Sequence, residues 1–384
     1  MLQQAGLLLA LLPALAACRS SEASRAARPM DPADVPAVLS EAQAVLSQGD
    51  AVSLDELEDA VDDLRSARVT GGLEPEVRQS VRLALERGAE DLIRRGEDPD
   101  ALRDLVESEL PMRLASRAGV RAAEILYADG ERMKAFRALR ALDRRYPSHT
   151  QRREAGDLLA DIGFELADDT GRYFLVFRYA ALAPQVLEYL ALEYPTHEET
   201  DDALARLALI YENSRLWRLA IVKLEELILW VPSSPLRAQA EADIPRLRLA
   251  AMKSPHYGRD ELLRARDELL RWLEDHPASN DLRANVERNL VDARQRLADN
   301  DLKAADFYRT VGSPAGIRFH ALRALGDARL AGNEQQVEEA EALLASAVDI
   351  PDPVPVDIED DAEPSEQGPR DVFNTGAGLE GSAR

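Results

Sequence analysis

The side chains in this sequence that could carry out chemistry form no catalytic or metal-binding motif. The histidines are His149, His197, His256, His276 and His320. No two of them have the i, i+4 spacing that lets two histidines on one helix bind zinc. Adjacent carboxylates occur at Asp168-Asp169, Asp201-Asp202 and Asp360-Asp361. General acid–base catalysis needs a carboxylate in a shaped pocket, and nothing around these pairs implies one. We therefore predict no enzymatic activity, no metal and no cofactor.

Several aromatic side chains have a structural interpretation instead. His149, His197 and His276 lie within two residues of a proline that ends a predicted helix, so we predict exposed turn residues. The tryptophans are Trp217, Trp230 and Trp272. All three lie on amphipathic helices, and we predict that they pack in the core rather than stack on a ligand.

The single cysteine, Cys18, is the clearest chemical signal in the chain. It follows an uncharged apolar segment, Ala5 to Ala17, which is as long as a signal-peptide core and shorter than the about 20 residues that span a bilayer. The ending Leu15-Ala16-Ala17-Cys18 resembles the lipobox of bacterial lipoproteins. In a lipobox the cysteine sulfur receives a diacylglycerol, and cleavage leaves that cysteine as the new N-terminus. This modification explains a thiol that has no disulfide partner.

Two features next to the lipobox bear on this prediction. The leader before Ala5 has no Lys or Arg, which departs from the usual signal peptide. Arg19 rather than Asp follows the cysteine, and by resemblance to enteric sorting rules this implies the outer membrane. We predict a signal peptide over residues 1–17 and a lipid-anchored protein on the periplasmic side of the outer membrane. The alternative is an ordinary secretory signal followed by a chance cysteine.

The composition argues against several classes of function. The net charge is −23 at pH 7, whereas a surface that binds nucleic acid needs clustered Lys and Arg. The same charge disfavours electrostatic contact with anionic lipid, so the lipid on Cys18 is predicted to be the only membrane anchor. Aromatic residues make up 5% of the chain, and the abundance of Ala, Leu, Arg and Glu favours helices.

The spacing of apolar residues divides the mature chain into segments. Residues 18–33 are small and polar, and we predict a flexible tether. Residues 34–112 form a predicted N-terminal helical region, in which Ser53 and Glu56 make a capping box. Residues 349–384 are acidic and rich in proline, with too little apolar content to fold, so we predict a disordered tail.

A recurring helix occupies the segment between them, residues 113–348. Four Ala- and Leu-rich helices end at Pro147, Pro195, Pro232 and Pro277. Twelve residues earlier stand Ala135, Ala183, Ala220 and Ala265. Eight residues earlier stand Leu139, Leu187, Leu224 and Leu269, and five earlier stand Leu142, Leu190, Leu227 and Trp272. These offsets share one helical face, so each helix is predicted to pack closely on a partner helix.

The best copy of the repeat spans Asp201 to Ser234 and fits the roughly 34-residue tetratricopeptide pattern. Its predicted repeat-defining core is Leu204, Leu207, Ala208, Tyr211, Ala220, Leu224, Leu227 and Pro232. Stacked helix pairs form a superhelix whose concave groove is lined by the first helix of each pair. The predicted groove residues are Asp202, Ala205, Leu209 and Glu212. The sequence thus predicts an all-α fold, a tetratricopeptide-like helical-hairpin solenoid with an extra N-terminal helical region.

Together, the repeats and the lipobox resemble the BamD family of outer-membrane lipoproteins, over roughly Arg121 to Ala347. The clearest carriers are Ala135-Phe136-Arg137-Ala138-Leu139 with Tyr146-Pro147-Ser148, Asp292-Ala293-Arg294-Gln295-Arg296-Leu297-Ala298, and Ala304-Ala305-Asp306-Phe307-Tyr308. The resemblance implies an all-helical lipoprotein that scaffolds the barrel-inserting subunit of the β-barrel assembly machinery. The chain departs from the family in residues 31–110, in its acidic tail and in lacking a closing Tyr-Pro after Tyr308.

The expected function is therefore that of a membrane-anchored periplasmic scaffold for other envelope proteins. The resemblance implies that these partners include a β-barrel assembly subunit or its substrates, and no nucleic acid is expected. One alternative is a repeat adaptor for cell-wall or polysaccharide-export machinery. Another is a helical cell-wall hydrolase with its active site in residues 31–110, where the many Glu residues single out no candidate acid.

Overall fold

The computed structural model describes residues 26–171, 178–252, 258–277 and 281–347, and this part of the chain is made of helices joined by turns. The prediction of an all-α fold is confirmed. The predicted signal peptide, Cys18, His256 and the acidic tail lie outside the described residues, as does the first half of the predicted tether. No helix among the described residues is both long and apolar enough to cross a bilayer.

The N-terminal helical region contains α1 (Val35–Ser47), α2 (Leu54–Arg68), α3 (Pro75–Arg95) and α4 (Pro99–Glu107). The predicted capping box begins α2. The Ser53 hydroxyl accepts a hydrogen bond from the Glu56 backbone N–H at 3.3 Å, and the Ser53 N–H donates to Glu56 Oε2 at 3.1 Å. Gly49 follows α1 with a φ of +60°, a left-handed conformation that glycine adopts without steric penalty. Local sequence signals therefore set where these helices begin and end.

The described residues contain eleven further helices. They are α5 (Met112–Ala128), α6 (Arg132–Arg145), α7 (Arg152–Asp168), α8 (Ala183–Glu193), α9 (Thr200–Asn213), α10 (Trp217–Trp230), α11 (Arg237–Ala251), α12 (Arg259–Asp275), α13 (Asp281–Thr310), α14 (Pro314–Ala331) and α15 (Glu334–Ser346). Each helix from α1 to α11 packs on the next one in sequence, and one buried apolar cluster extends from Ala42 to Leu247.

The chain divides into two compact units, residues 1–293 and 294–384, and the boundary falls inside α13. In the second unit, the end of α13 packs with α14 and α15. These helices enclose a buried cluster of Leu302, Ala305, Ile317, Ala321, Ala324, Leu325, Ala340, Leu343 and Ala347.

The residues that recur before the four prolines are all buried. The alanines twelve residues upstream expose 0% of their surface, and Leu224, at 6%, is the most exposed of the set. Glycine brings helices together in the same way, because a Cβ on Gly163 of α7 would overlap the Leu187 side chain of α8. Small residues at fixed positions thus allow the helices of each pair to approach closely.

Two members of the predicted repeat core are corrected by the structure. Pro232 is exposed in the turn after α10 and does not pack in the core. It ends the helix because proline has no backbone N–H to donate. Tyr211 is only half-buried, and its hydroxyl donates a hydrogen bond to Glu188 Oε1 at 2.6 Å. The remaining members, Leu204, Leu207, Ala208, Ala220, Leu224 and Leu227, are buried.

The predictions that the tryptophans pack in the core and that three histidines are exposed in turns are confirmed only in part. Trp272 is buried and donates its indole N–H to the Ala238 carbonyl at 2.8 Å, and Trp217 is partly buried against the core. Trp230, the last residue of α10, is 38% exposed, so the prediction of core packing is wrong for it. His149 is buried, so the prediction of an exposed turn residue is wrong for it, and the Asp143 carboxylate accepts a hydrogen bond from its ring. His276 is half-buried and the His197 side chain exposes only 6% of its surface, so the prediction of exposure is wrong for these two as well.

Candidate peptide-binding groove

The first helix of the best repeat copy borders an open cavity of about 520 Å³. Ala205, Leu209 and Glu212 of α9 line it, and Leu209 exposes 45% of its surface. Asp202 lies outside the cavity, exposed near the start of the same helix. The structure therefore brings three of the four predicted groove residues together around one apolar side chain.

The facing wall consists of residues one repeat period further along the chain. Glu212 and Arg246 are 34 residues apart. The same step relates Asp202 to Leu236, Ala205 to Gln239, and Leu209 to Asp243. All four later residues line the cavity. Equivalent positions of two successive first helices thus form the two sides of one groove. Sequence reasoning missed Leu236, Gln239, Asp243 and Arg246, although the repeat period contained the signal that could have found them.

An ion pair joins the two sides of this groove. Arg246 binds Glu212 through two contacts, Nη1 to Oε1 at 2.6 Å and Nη2 to Oε2 at 2.9 Å. Its Nε donates to Asp243 Oδ1 at 2.8 Å. Hydrogen bonding to the guanidinium holds the pKa of Glu212 below its usual value, although partial burial opposes this. The bidentate geometry sets the separation of α9 and α11 and neutralises the charge at this end of the groove.

The groove continues onto a third first helix. A second cavity of about 220 Å³ shares Gln239, Asp243 and Arg246 with the first. Its other side is α13, through Leu282, Asn285 and Val286 among others. We use the term repeat groove for the surface formed by α9, α11 and the start of α13, with Leu209 and Arg246 at its centre.

An acidic surface lies beside the repeat groove, on α7 and at the start of α9. We define this acidic flank as Asp157, Asp161, Glu165, Glu199 and Asp202. Burial, and then the charges of Glu165 and Asp157, raise the pKa of Asp161. Burial also raises the pKa of Glu199, to which the charges of Asp202 and Asp161 contribute. The carboxylates of the two helices therefore repel one another and create a negative potential that favours a cationic ligand.

A different carboxylate lies buried where α6 meets α8. Asp143 exposes 5% of its surface and accepts hydrogen bonds from His149 Nε2 at 3.0 Å, Tyr189 Oη at 2.8 Å and Tyr194 Oη at 2.8 Å. Burial disfavours its ionised form, but the three donors outweigh burial and hold its pKa below the usual value. The guanidinium of Arg152 lies 4.1 Å from the centre of the Tyr194 ring. We call these residues the Asp143 cluster, and its saturated carboxylate suits a structural role.

The residues four positions after the ends of helices α6, α8 and α10 share one arrangement. His149 Nδ1 accepts the N–H of Gln151, and His197 Nδ1 accepts the N–H of Glu199 at 3.3 Å. Ser234 takes the same place in the next repeat, where its hydroxyl accepts the N–H of Leu236 and donates to Asp201. The Nε2–H of each histidine faces a carboxylate, so a neutral imidazole satisfies both contacts. These side chains fix the start of the next helix.

Comparison with known proteins adds no functional assignment. No family model matches this chain. No curated protein matches it either. Among solved structures it is similar to a "Circular tandem repeat protein with novel repeat topology and enhanced subunit contact surfaces". The identity is 15%, over 82% of this chain and 75% of that chain, with a TM-score of 0.17. A similarity this low supports no argument about function. Among the described residues, no three His, Cys, Asp or Glu side chains are grouped as metal ligands.

Proposed function

We propose that this protein is a scaffold of the bacterial cell envelope that binds a segment of another protein in the repeat groove. The observation that carries the proposal is the one-period relation between the two sides of the groove, with an exposed leucine between them. Grooves between the first helices of repeat pairs accommodate extended or helical peptides. A chain of helical pairs with such a groove is suited to binding a segment of another protein.

The chemistry of the repeat groove defines the segment it would bind. Leu209 offers one apolar contact, and the charge of Arg246 is already balanced by Glu212 and Asp243. The acidic flank beside it adds five carboxylates with mutual repulsion, which a cationic side chain would relieve. The ligand we propose is therefore an amphipathic segment with an apolar anchor for Leu209 and Lys or Arg for the flank.

Attachment to a membrane completes the proposal. The lipobox ending at Cys18 supports a lipid anchor, and the repeat pattern supports a role like that of the BamD family in outer-membrane β-barrel assembly. A scaffold that carries out no chemistry acts by holding its partner at one place, which is what an anchor provides. The partner we propose is a β-barrel assembly subunit on the periplasmic side.

Site-specific photo-crosslinking in living cells tests the groove. A photoreactive p-benzoylphenylalanine replaces Leu209 in the lipidated protein, and the matched control carries it at Leu83, which is 53% exposed on α3. We expect the first variant to crosslink to a barrel-assembly subunit and the control to give no such product. Changing Asp161 and Asp202 to Lys should remove the crosslink by reversing the charge of the flank. Equal crosslinking at both sites, or none at Leu209, would contradict binding in the repeat groove.

Depletion of the protein tests the assembly role separately. We expect the amounts of β-barrel proteins in the outer membrane to fall while their synthesis continues. Unchanged barrel levels together with a crosslink to a cell-wall or export protein would instead support the adaptor alternative. A Cys18→Ser variant should leave a folded protein in the soluble periplasmic fraction, and its retention in membranes would contradict the lipid anchor.

A further inference from the structure

Helix α14 is apolar on two opposite sides. One side carries Ile317 and other buried residues of the second unit's core. The other side carries the α14 strip, which we define as Ala315, Phe319, Leu322, Gly326 and Leu330. The spacing of these residues places them on one helical face. Phe319, Leu322 and Leu330 expose 56%, 58% and 64% of their surfaces. A continuous apolar face of this kind marks an interaction surface.

Gly326 lies in the middle of the strip and has no role inside the described structure. A Cβ added there would meet no atom within 4 Å. The glycines inside α7 differ, because a Cβ on Gly156 would approach a ring carbon of His197 to 2.5 Å. Glycine in an exposed helix interior costs about 1 kcal/mol relative to alanine. At Gly326 the missing side chain leaves a notch that a second backbone can enter.

The edges of the α14 strip carry three arginines and one aspartate, in a chain of net charge −23. The charged residues of α14 are Arg318, Arg323, Asp327 and Arg329. Arg323 lies 5.1 Å from the centre of the Phe319 ring and 3.7 Å from Asp301 Oδ2, and Arg329 reaches Glu341 of α15 at 2.8 Å. Two copies of this chain that met along the strip would bring these arginines together, which is unfavourable. The strip therefore fits an acidic segment with apolar side chains.

The chain itself supplies such a segment close to α14. The described structure ends at Ala347, which packs with Ile317 and Ala321 on the core side of α14, so the residues that follow must pass around this helix to reach the strip. Residues 349–363 follow immediately, with seven Asp and Glu, no Lys or Arg, and the apolar residues Ile350, Val354, Val356 and Ile358. Prolines 351, 353 and 355 favour an extended backbone, which lowers the entropy lost on binding.

We infer that residues 349–363 dock in cis along the α14 strip. The apolar side chains of the segment cover Phe319, Leu322 and Leu330, and its carboxylates face the arginines at the edges. The length of the segment permits this, because its fifteen residues extend to about 50 Å. Passing around a helix about 10 Å in diameter and then along the about 16 Å from Phe319 to Leu330 needs less than that. The docked segment shields the apolar face, so any partner that uses the α14 strip must displace it. This inference does not depend on the repeat groove.

Disulfide trapping in the full mature chain tests the docking. With Cys18→Ser as background, one variant carries Leu322→Cys and Val356→Cys. Its control carries Ala345→Cys and Val356→Cys, because Ala345 is exposed on α15 and is closer along the chain to Val356. We expect an intramolecular disulfide in the first variant at least tenfold faster than in the control. The rate should fall at high salt, and also when Arg323 and Arg329 are changed to Glu.

Each other outcome overturns the proposal. Equal rates in the two variants would mean that the segment samples the surface without docking. An intermolecular disulfide through Leu322→Cys would assign the α14 strip to a second copy of the chain. A Gly326→Leu substitution fills the notch on an exposed face, so it should slow trapping while the helical circular dichroism is unchanged. Trapping that is insensitive to this change would exclude entry of the segment at Gly326.

Discussion

The Asp143 cluster and the repeat groove both contain carboxylates with hydrogen-bonding partners, but the two regions differ in how deeply these carboxylates are buried. In the cluster, a carboxylate that exposes 5% of its surface is saturated by three donors from the helices around it. In the groove, Glu212 and Arg246 pair while remaining 25% and 34% exposed, and the acidic flank beside them has an excess of charge. Removing one partner of a buried polar group costs much of the free energy of folding, whereas removing one partner of an exposed ion pair costs little. The first region should therefore control stability and the second binding.

Removing the carboxylate of the cluster should have the largest effect. We expect Asp143→Ala to lower the free energy of unfolding by about 3 kcal/mol, because two tyrosine hydroxyls and His149 lose their acceptor. The matched control is Asp157→Ala, whose carboxylate also binds a histidine but is 48% exposed, and which should cost about 0.5 kcal/mol. Urea denaturation of both variants measures the difference. Equal losses would remove the distinction between buried and exposed carboxylates.

The stability from Asp143 should also depend on pH in a defined direction. The pKa of Asp143 is lowered in the folded protein, so its contribution is complete above the unfolded pKa. That contribution is lost as the pH falls through the folded pKa. Comparing wild type with Asp143→Asn over an acid series should show the two converging at low pH. A constant difference would mean that the carboxylate charge is not the source of the stability.

Two glycine substitutions should change stability in opposite directions. Gly163→Ala should destabilise by about 2 kcal/mol, since its methyl group would overlap Leu187 where α7 and α8 meet. Gly326→Ala should stabilise by about 0.5 to 1 kcal/mol, because α14 gains helix propensity and the new methyl group meets nothing. Thermal unfolding of each variant decides this. A destabilising Gly326→Ala would show that the notch serves packing.

Breaking the groove ion pair should affect binding more than folding. Arg246→Met should lower the free energy of unfolding by no more than about 1 kcal/mol, because both partners are partly exposed. The freed Glu212 and Asp243 then add negative charge, so binding of a cationic segment should strengthen and become more sensitive to salt. Titration of the captured partner at two salt concentrations measures this. Loss of binding would instead show that the pair holds α9 and α11 at the required separation.

The acidic flank should give the smallest effect on stability. Asp161→Asn should stabilise by about 0.3 kcal/mol at neutral pH, since it removes the cost of partly burying a charged carboxylate and then its repulsion with Glu165 and Asp157. The pKa of Asp161 is raised on folding, so wild-type stability falls as the pH rises through that pKa, and the advantage of the variant appears above it. Denaturation at acidic and neutral pH measures the change. The same substitution should weaken binding of the cationic partner.

Much of the fold was predictable because the signals are local. Alanines, leucines and one tryptophan at fixed distances before four prolines identify the packed face of each second helix, and all twelve positions are buried. The groove was predictable in part, through Ala205, Leu209 and Glu212. Its other side was not assigned, because the pairing of Glu212 with Arg246 becomes visible only when two repeats are placed side by side.

The amino-acid sequence by itself determined the all-α fold, the ends of the four repeat helices before their prolines, the capping box at Ser53 and the face that each of these repeat helices buries. These follow from periodicity and from steric rules that act within a few residues. Only the tertiary structure decided which polar and aromatic residues became buried. His149 lies inside because Asp143 comes from the preceding helix to meet it, whereas Trp230 at the end of α10 stays 38% exposed. Burial depends on which neighbours the packing supplies, and residue type alone does not specify them.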